Sequence, residues 1–116
     1  MTAAPEVAVV MSVYDGAPRL RASVESVLAQ EDVDFEFVIV DDGSTDESPT
    51  MLERFADADP RVRVVHQENQ GLTRALVRGC AAATAPFIAR QDCGDASLPG
   101  RLAAENIGVA AVTNGT

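Results

Sequence analysis

Basic residues are scarce in this chain. Nine arginines and lysines stand against 18 aspartates and glutamates, for a formal net charge of -9 at pH 7. Nucleic acid and anionic membrane surfaces select for basic patches, so neither is an expected partner. Long apolar runs are also missing. Nothing approaches the roughly 18 residues that mark a membrane span, so no transmembrane segment is expected. The N-terminus, Met1-Thr2-Ala3-Ala4-Pro5-Glu6, lacks the basic start and apolar core of a signal peptide. Cysteine occurs twice, at Cys80 and Cys93. The two form neither a CxxC pair nor a disulfide framework. They read as thiols in a reducing, cytoplasmic setting, with Cys80 in the core on an apolar helix face. There is no tandem repeat, low-complexity tract or internal linker. The 116 residues therefore make one domain or part of one, on the usual scale of about 100–200 residues per domain.

Several phosphate motifs are absent too. A dinucleotide fold needs G-x-G-x-x-G after its first strand, and here Tyr14-Asp15-Gly16-Ala17-Pro18 offers one glycine. No G-x-x-x-x-G-K-[ST] P-loop occurs. A phosphatase of the haloacid dehalogenase type needs two aspartates separated by one residue. Asp41 and Asp42 are adjacent, so on a strand their side chains point to opposite faces.

What is present is an alternation. Val7–Val13 is a valine-rich apolar run, the mark of a strand buried on both faces. Leu20, Val24, Val27 and Leu28 recur at helical spacing, which predicts a helix over Pro18–Gln30. Phe35–Val40 reads as the second strand. Ser48 or Thr45 caps a helix carrying Met51, Leu52 and Phe55, which ends near Asp59-Pro60. Val62–Val65 is a third strand. Gly71 opens a third helix with Leu72, Ala75, Leu76, Gly79, Cys80 and Ala83 on one face. Phe87–Ala89 is a fourth strand. A helix is expected from Pro99 through Glu105, and a fifth strand over Ile107–Val112. Strands alternating with helices through short loops imply a mainly parallel α/β sheet.

Parallel strands point their carboxyl ends to one edge, where ligands of open α/β sheets bind. Tyr14, Asp41, His66 and Asp92 each follow one of the four strands, so all four are expected along that edge. Two acidic stretches stand out there. Asp41-Asp42-Gly43-Ser44-Thr45-Asp46 follows the second strand, where unpaired acids would be costly to bury. Asp92-Cys93-Gly94-Asp95 follows the fourth. Oxygen ligands on a tight loop suit Mg²⁺ or Mn²⁺, which also take phosphate oxygens. Together the two stretches suggest a nucleotide with a metal-bridged diphosphate. His66 could instead pack its ring at the sheet edge.

These residues carry a resemblance. Val9–Tyr14, Val38–Asp46, Asn69–Leu72 and Ile88–Leu102, in that order, are similar to the family 2 glycosyltransferases of the GT-A fold over roughly residues 6–102. The resemblance implies a Rossmann-like GT-A open sheet, mainly parallel, with helices on both faces and truncated here. It implies an inverting transfer of a sugar from a nucleotide-diphosphate donor, a UDP-sugar by family preference. Such chemistry builds cell-envelope polysaccharide in the cytoplasm or at the membrane periphery. By the resemblance Ser12 and Tyr14 contact the nucleobase, and Asp41 accepts a hydrogen bond from its edge. Asp42 holds the loop, and Ser44 and Asp46 serve as loop and cap residues. Arg74 reaches toward the diphosphate. Asp92 touches the ribose or a metal-bound water.

Two departures qualify this. The family usually shows Asp-x-Asp in the second acidic loop, and Gly94 stands where the second acid would be. Asp92 and Asp95 are then the expected ligands of Mg²⁺ or Mn²⁺, with reduced affinity. The chain also stops soon after Leu102, whereas the family's acceptor site and catalytic base lie further on. The expected reading is a donor-binding half, with no assigned catalytic residue. The truncated sheet edge is expected to favour self-association. The competing readings are a non-catalytic nucleotide-sugar-binding module and an unrelated Mg²⁺-dependent phosphoryl enzyme.

Overall fold

The computed structural model describes residues 5–102. The elements run β1 (Val7–Val13), α1 (Ala17–Leu28), β2 (Phe35–Asp42), α2 (Ser48–Ala58), β3 (Val62–Gln67), α3 (Leu72–Ala82) and β4 (Phe87–Arg90). The four strands form one sheet in the order β3-β2-β1-β4, and every pairing is parallel. The α/β class and the parallel sheet are as expected. Residues 101 and 102 are helical. The rest of the helix expected from Pro99, and the expected fifth strand, lie outside the described residues.

Strand alternation sorts the core into two layers. Val7, Val9, Met11 and Val13 of β1 and Phe35, Phe37 and Ile39 of β2 pack with Leu20, Val24 and Val27 of α1 and Leu52 of α2. The intervening residues face α3. A Cβ on Gly79 would stand 2.5 Å from Val10 Cγ1 and 3.2 Å from Val40 Cγ2. Helices thus cover both faces. The close approach at Gly79 explains a departure from expectation at Cys80. Small residues, Ala75 and Gly79, make the buried contact of α3. That contact is narrow, so Cys80 is exposed rather than in the core.

Two strands run further than the apolar pattern suggests. β2 continues through Asp41 and Asp42, and β3 through His66 and Gln67, because the ladder pairs Asp41 with His66 and Asp42 with Gln67. Acids can end a buried strand when each carboxylate finds donors on its own face. That condition is met here, as described next. α2 begins at Ser48 without a cap from the side chain before it. The Ser48 hydroxyl instead accepts from Gly16 N–H at 3.1 Å, while Asp46 Oδ1 accepts from Ser48 N–H at 2.8 Å.

Candidate functional site

The chain order reverses its direction across the sheet at β1. From β1 it steps outward to β2 and β3, then returns to place β4 on the other side. The loops after β1 and β4 therefore diverge, and a crevice opens between them at the carboxyl edge. A cleft of about 310 Å³ lies there, lined by Ser12, Tyr14, Gly16, Arg19, Asp42, Leu72, Arg90, Asp92 and Cys93. Three residues expected at a ligand, Ser12, Tyr14 and Asp92, meet in it. Tyr14 is 54% exposed, a large aromatic face offered to solvent.

The glycine after β1 lets the two loops touch. A Cβ on Gly16 would lie 2.8 Å from Cys93 Sγ. Burial pushes the Cys93 thiol up from its ordinary value, so it is a packing group rather than a thiolate.

The loop after β1 is tied to the loop after β2. Asp15 N–H donates to Ser44 Oγ at 3.0 Å, Thr45 N–H donates to Asp15 Oδ1 at 2.7 Å, and Ala17 N–H donates to Asp46 Oδ2 at 3.1 Å. Asp46 is held below the usual carboxylate value, first by the Ser48 hydroxyl. Ser44 and Asp46 thus position Tyr14 rather than line the cleft.

Asp41 and Asp42 diverge as strand alternation requires. Asp42 lies on the α3 face and lines the cleft. Its carboxylate accepts from Gln67 Nε2 at 2.9 Å, Gln70 N–H at 2.8 Å and Gly71 N–H at 3.0 Å. Burial raises its proton affinity, yet these three donors outweigh it and hold the acid below the usual range. The charge also faces the N-terminal end of α3, where the helix dipole favours an anion. Asp41 lies on the α2 face. Its Oδ1 accepts from Ser44 N–H at 3.0 Å, and its Oδ2 stands 2.8 Å from His66 Nδ1. His66 is exposed and ion-paired rather than packed at the edge.

Arg74 sits elsewhere. It lines a separate concavity with Gln67, Gln70, Val77, Arg78 and Ala81. The arginines of the central cleft are Arg19 and Arg90, which the sequence reading did not single out. Arg90 Nε donates to Asp92 Oδ1 at 2.8 Å.

The acidic loop after β4 hangs from the buried side of α1. Ser23 Oγ donates to Asp95 O at 2.7 Å and accepts from Gly94 N–H at 2.7 Å. Ser26 Oγ accepts from Ser97 N–H at 2.9 Å, and Gln30 Nε2 donates to Leu98 O at 2.8 Å. Gln91, fully buried, donates to Asp95 O at 2.7 Å. These residues were missed, but a signal existed: Ser23, Ser26 and Gln30 repeat at i, i+3 and i+7, a polar row beside the apolar stripe.

These bonds fix the Asp95 backbone against α1, and Asp95 is not among the cleft residues. Among the described residues no group of three or more His, Cys, Asp or Glu side chains is placed to hold a metal ion. Mg²⁺ and Mn²⁺ bound with a substrate diphosphate need only one or two protein carboxylates. Asp92 supplies one at the cleft, so the donor set fits an ion that arrives with the ligand's phosphates. No helix among the described residues is long and apolar enough to cross a membrane.

Comparison with known proteins agrees with this geometry. Residues 8–104 match the family model described as glycosyl transferase family 2. The succinoglycan biosynthesis protein ExoO of Rhizobium meliloti is 39% identical over 99 residues, covering 84% of this chain and 28% of that protein. The glycosyltransferase GlyG of Streptococcus pneumoniae is 38% identical over 90 residues, covering 77% of this chain and 30% of that protein. Among solved structures, the mannosyltransferase PcManGT of Pyrobaculum calidifontis, in complex with GDP-Man and Mn²⁺, superposes with a TM-score of 0.79. It shares 27% identity and covers 90% of this chain and 32% of its own. S. aureus TarS 1-349, in complex with UDP-GlcNAc, has the same fold at a TM-score of 0.79 and 21% identity, over 85% of this chain and 29% of its own. The chain thus spans less than a third of the length of each of these four proteins.

Proposed function

The chain belongs to glycosyl transferase family 2, and from that premise we propose that its carboxyl-edge cleft binds a nucleotide-diphosphate sugar, with uridine as the base. The observation that carries this is the convergence of Ser12, Tyr14, Arg19, Arg90 and Asp92 in one cleft at the switch point. Tyr14 offers its exposed ring to the flat face of the base. Ser12 offers a hydroxyl beside it. The base acceptor expected at Asp41 would have to reach the cleft from the α2 face, whereas Asp42 lines the cleft itself and is the acid beside the base. Arg19 provides positive charge for the diphosphate from the cleft itself, in place of Arg74, which lines a separate concavity. Asp92 meets the ribose or a Mg²⁺ or Mn²⁺ ion. When bound, that ion would neutralise charge on the departing diphosphate.

The reaction this supports is an inverting transfer. An acceptor hydroxyl attacks the anomeric carbon, the bond from that carbon to the diphosphate oxygen breaks, and the hydroxyl proton passes to a base. We assign that base to none of the described residues. The role of these residues is to hold the donor.

Calorimetric titration of the chain with UDP, GDP and their sugar conjugates, with and without Mn²⁺, tests the reading. Binding of a nucleoside diphosphate that strengthens with Mn²⁺ is expected. Binding accompanied by neither transfer nor hydrolysis would favour a donor-binding module over an enzyme. No binding of any nucleoside diphosphate would overturn the proposal.

A further inference from the structure

The central cleft is lined by the charged residues Arg19, Asp42, Arg90 and Asp92, and three of the four are already engaged. Arg90 Nε donates to Asp92 Oδ1 at 2.8 Å, so that pair largely cancels itself. The Asp42 carboxylate is held by Gln67, Gln70 and Gly71. Arg19 is the exception. Among the described residues its side chain donates to no acceptor and pairs with no carboxylate. In a chain of net charge -9, the one cleft charge without an internal partner is positive.

Stability does not explain its placement. Arg19 lies in the first turn of α1, a turn with no acidic residue. The helix dipole is positive at that end and disfavours a cation there. Its neighbour is Gly94, in the loop after β4. Gly94 has φ 105°, and a Cβ built on it would stand 3.4 Å from Arg19 Cδ and 3.6 Å from Arg19 Nε. The arginine stem therefore lies against bare backbone, two residues from Asp92. A side chain longer than alanine at position 94 would compete with Arg19 for that space.

The same loop offers little to a divalent ion. Asp92 is its one carboxylate in the cleft, and one Asp92 oxygen already accepts from Arg90. A diphosphate seated here needs a further source of positive charge. A guanidinium supplies it, with N–H donors in a planar fork that matches phosphate oxygens. We infer that Arg19 is a built-in counter-ion for the donor diphosphate, taking over part of the role of a divalent metal, so that nucleotide binding in this cleft is strengthened by Mg²⁺ or Mn²⁺ but does not require it. This rests on the reading of the cleft as a nucleotide-diphosphate site.

In the absence of divalent metal, Arg19 meets the full charge of the diphosphate. With an ion bound, that charge is partly neutralised and Arg19 gains less. The two cations are partly redundant, so loss of one raises the dependence on the other.

The test is calorimetric titration of the full chain with UDP and GDP, in EDTA and in saturating Mn²⁺. Native chain, Arg19→Gln and Arg19→Lys are compared. The native chain should bind in EDTA. Arg19→Gln should weaken that binding about tenfold or more, as for loss of a charge-assisted hydrogen bond. It should weaken binding in Mn²⁺ by less, so that the enhancement by Mn²⁺ grows about threefold or more. Arg19→Lys keeps the charge and should recover part of the loss in EDTA. The melting temperature of Arg19→Gln should be no lower than native, because an exposed cation is removed from the positive end of a helix. Native binding that appears only with Mn²⁺ overturns this inference alone. So does an Arg19→Gln affinity in EDTA equal to native, or an equal loss with and without Mn²⁺. Failure of UDP and GDP to bind under either condition overturns both it and the functional reading beneath it.

Discussion

β2 carries a buried acid at each end, and the two ends of the sheet differ. At the amino edge, Glu36 accepts from Thr84 N–H and Ala85 N–H, each at 2.7 Å, and pairs with Arg63 at 3.2 Å. The cavity beside it is about 510 Å³ and is lined by Val33, Phe35, Pro60, Arg61 and others. At the carboxyl edge, Asp42 is equally spent on internal donors, but the cleft beside it is smaller and richer in chemistry. Among the described residues, no hydrogen bond engages the side chains of Ser12, Tyr14 or Arg19. The comparison teaches that neither a buried carboxylate nor a large cavity marks a site. Both acids are braces: Glu36 secures the loop that leaves α3, and Asp42 secures the loop that enters it. What separates the edges is which one holds polar side chains with nothing internal to bind.

The largest effects should fall on the braces. Glu36→Ala and Asp42→Ala each remove a buried acceptor shared by two backbone N–H groups and by side-chain donors, and each should cost about 3 kcal/mol or more in chemical denaturation. Glu36→Gln should cost less and leave UDP affinity within about twofold, as expected of a group remote from the cleft. A large affinity loss in Glu36→Gln would break the comparison. Gly43→Ala comes next. Gly43 has φ 78°, and its added Cβ would stand 2.6 Å from Asn69 N of the backbone. Left-handed strain and overpacking together predict a loss of about 3 kcal/mol, read from the denaturation midpoint.

Tyr14→Ala should divide the two properties the other way. Loss of a stacking face predicts about a tenfold drop in UDP affinity. An exposed side chain away from the core should change stability by less than about 0.5 kcal/mol. Equal loss of both would mean that Tyr14 is a structural residue.

The smallest effect concerns the pH dependence of stability. The folded proton affinity of His66 is raised, so its ion pairs stabilise fully below about pH 6.5, the unfolded value. That contribution is lost as pH rises through the folded value. Because the ring is partly exposed, the total is under about 1 kcal/mol. The melting temperature of the native chain should therefore exceed that of His66→Gln at pH 6 and converge with it at higher pH.

Much of the fold was legible because strands buried on both faces must be apolar throughout. Val7–Val13 and Phe35–Val40 could be little else. Strand ends were harder to see. Asp41 and Asp42 do not look like strand residues until their partners are known, Ser44 and His66 for Asp41 and Gln67, Gln70 and Gly71 for Asp42. Tyr14 and Asp92 could be placed at one edge from topology alone, and Ser12 was added by the family resemblance. Arg19 and Arg90 could not, since an arginine at a helix start or strand end gives no hint of which way it turns. Glu53 was invisible as a partner of His66 because the two lie on different elements, 13 residues apart. Cys80 misled because helical periodicity shows which residues share a face, not how wide the contact will be.

The central claim is that the donor nucleotide binds at the carboxyl edge and not in the larger cavity opposite. Backbone amide NMR during titration with UDP and Mg²⁺ tests it most directly. The account predicts shifts that saturate together at Tyr14, Gly16, Arg90 and Cys93, while Val33, Glu36, Arg63 and Thr84 stay still. Shifts confined to the second group, with the first unmoved, would contradict it.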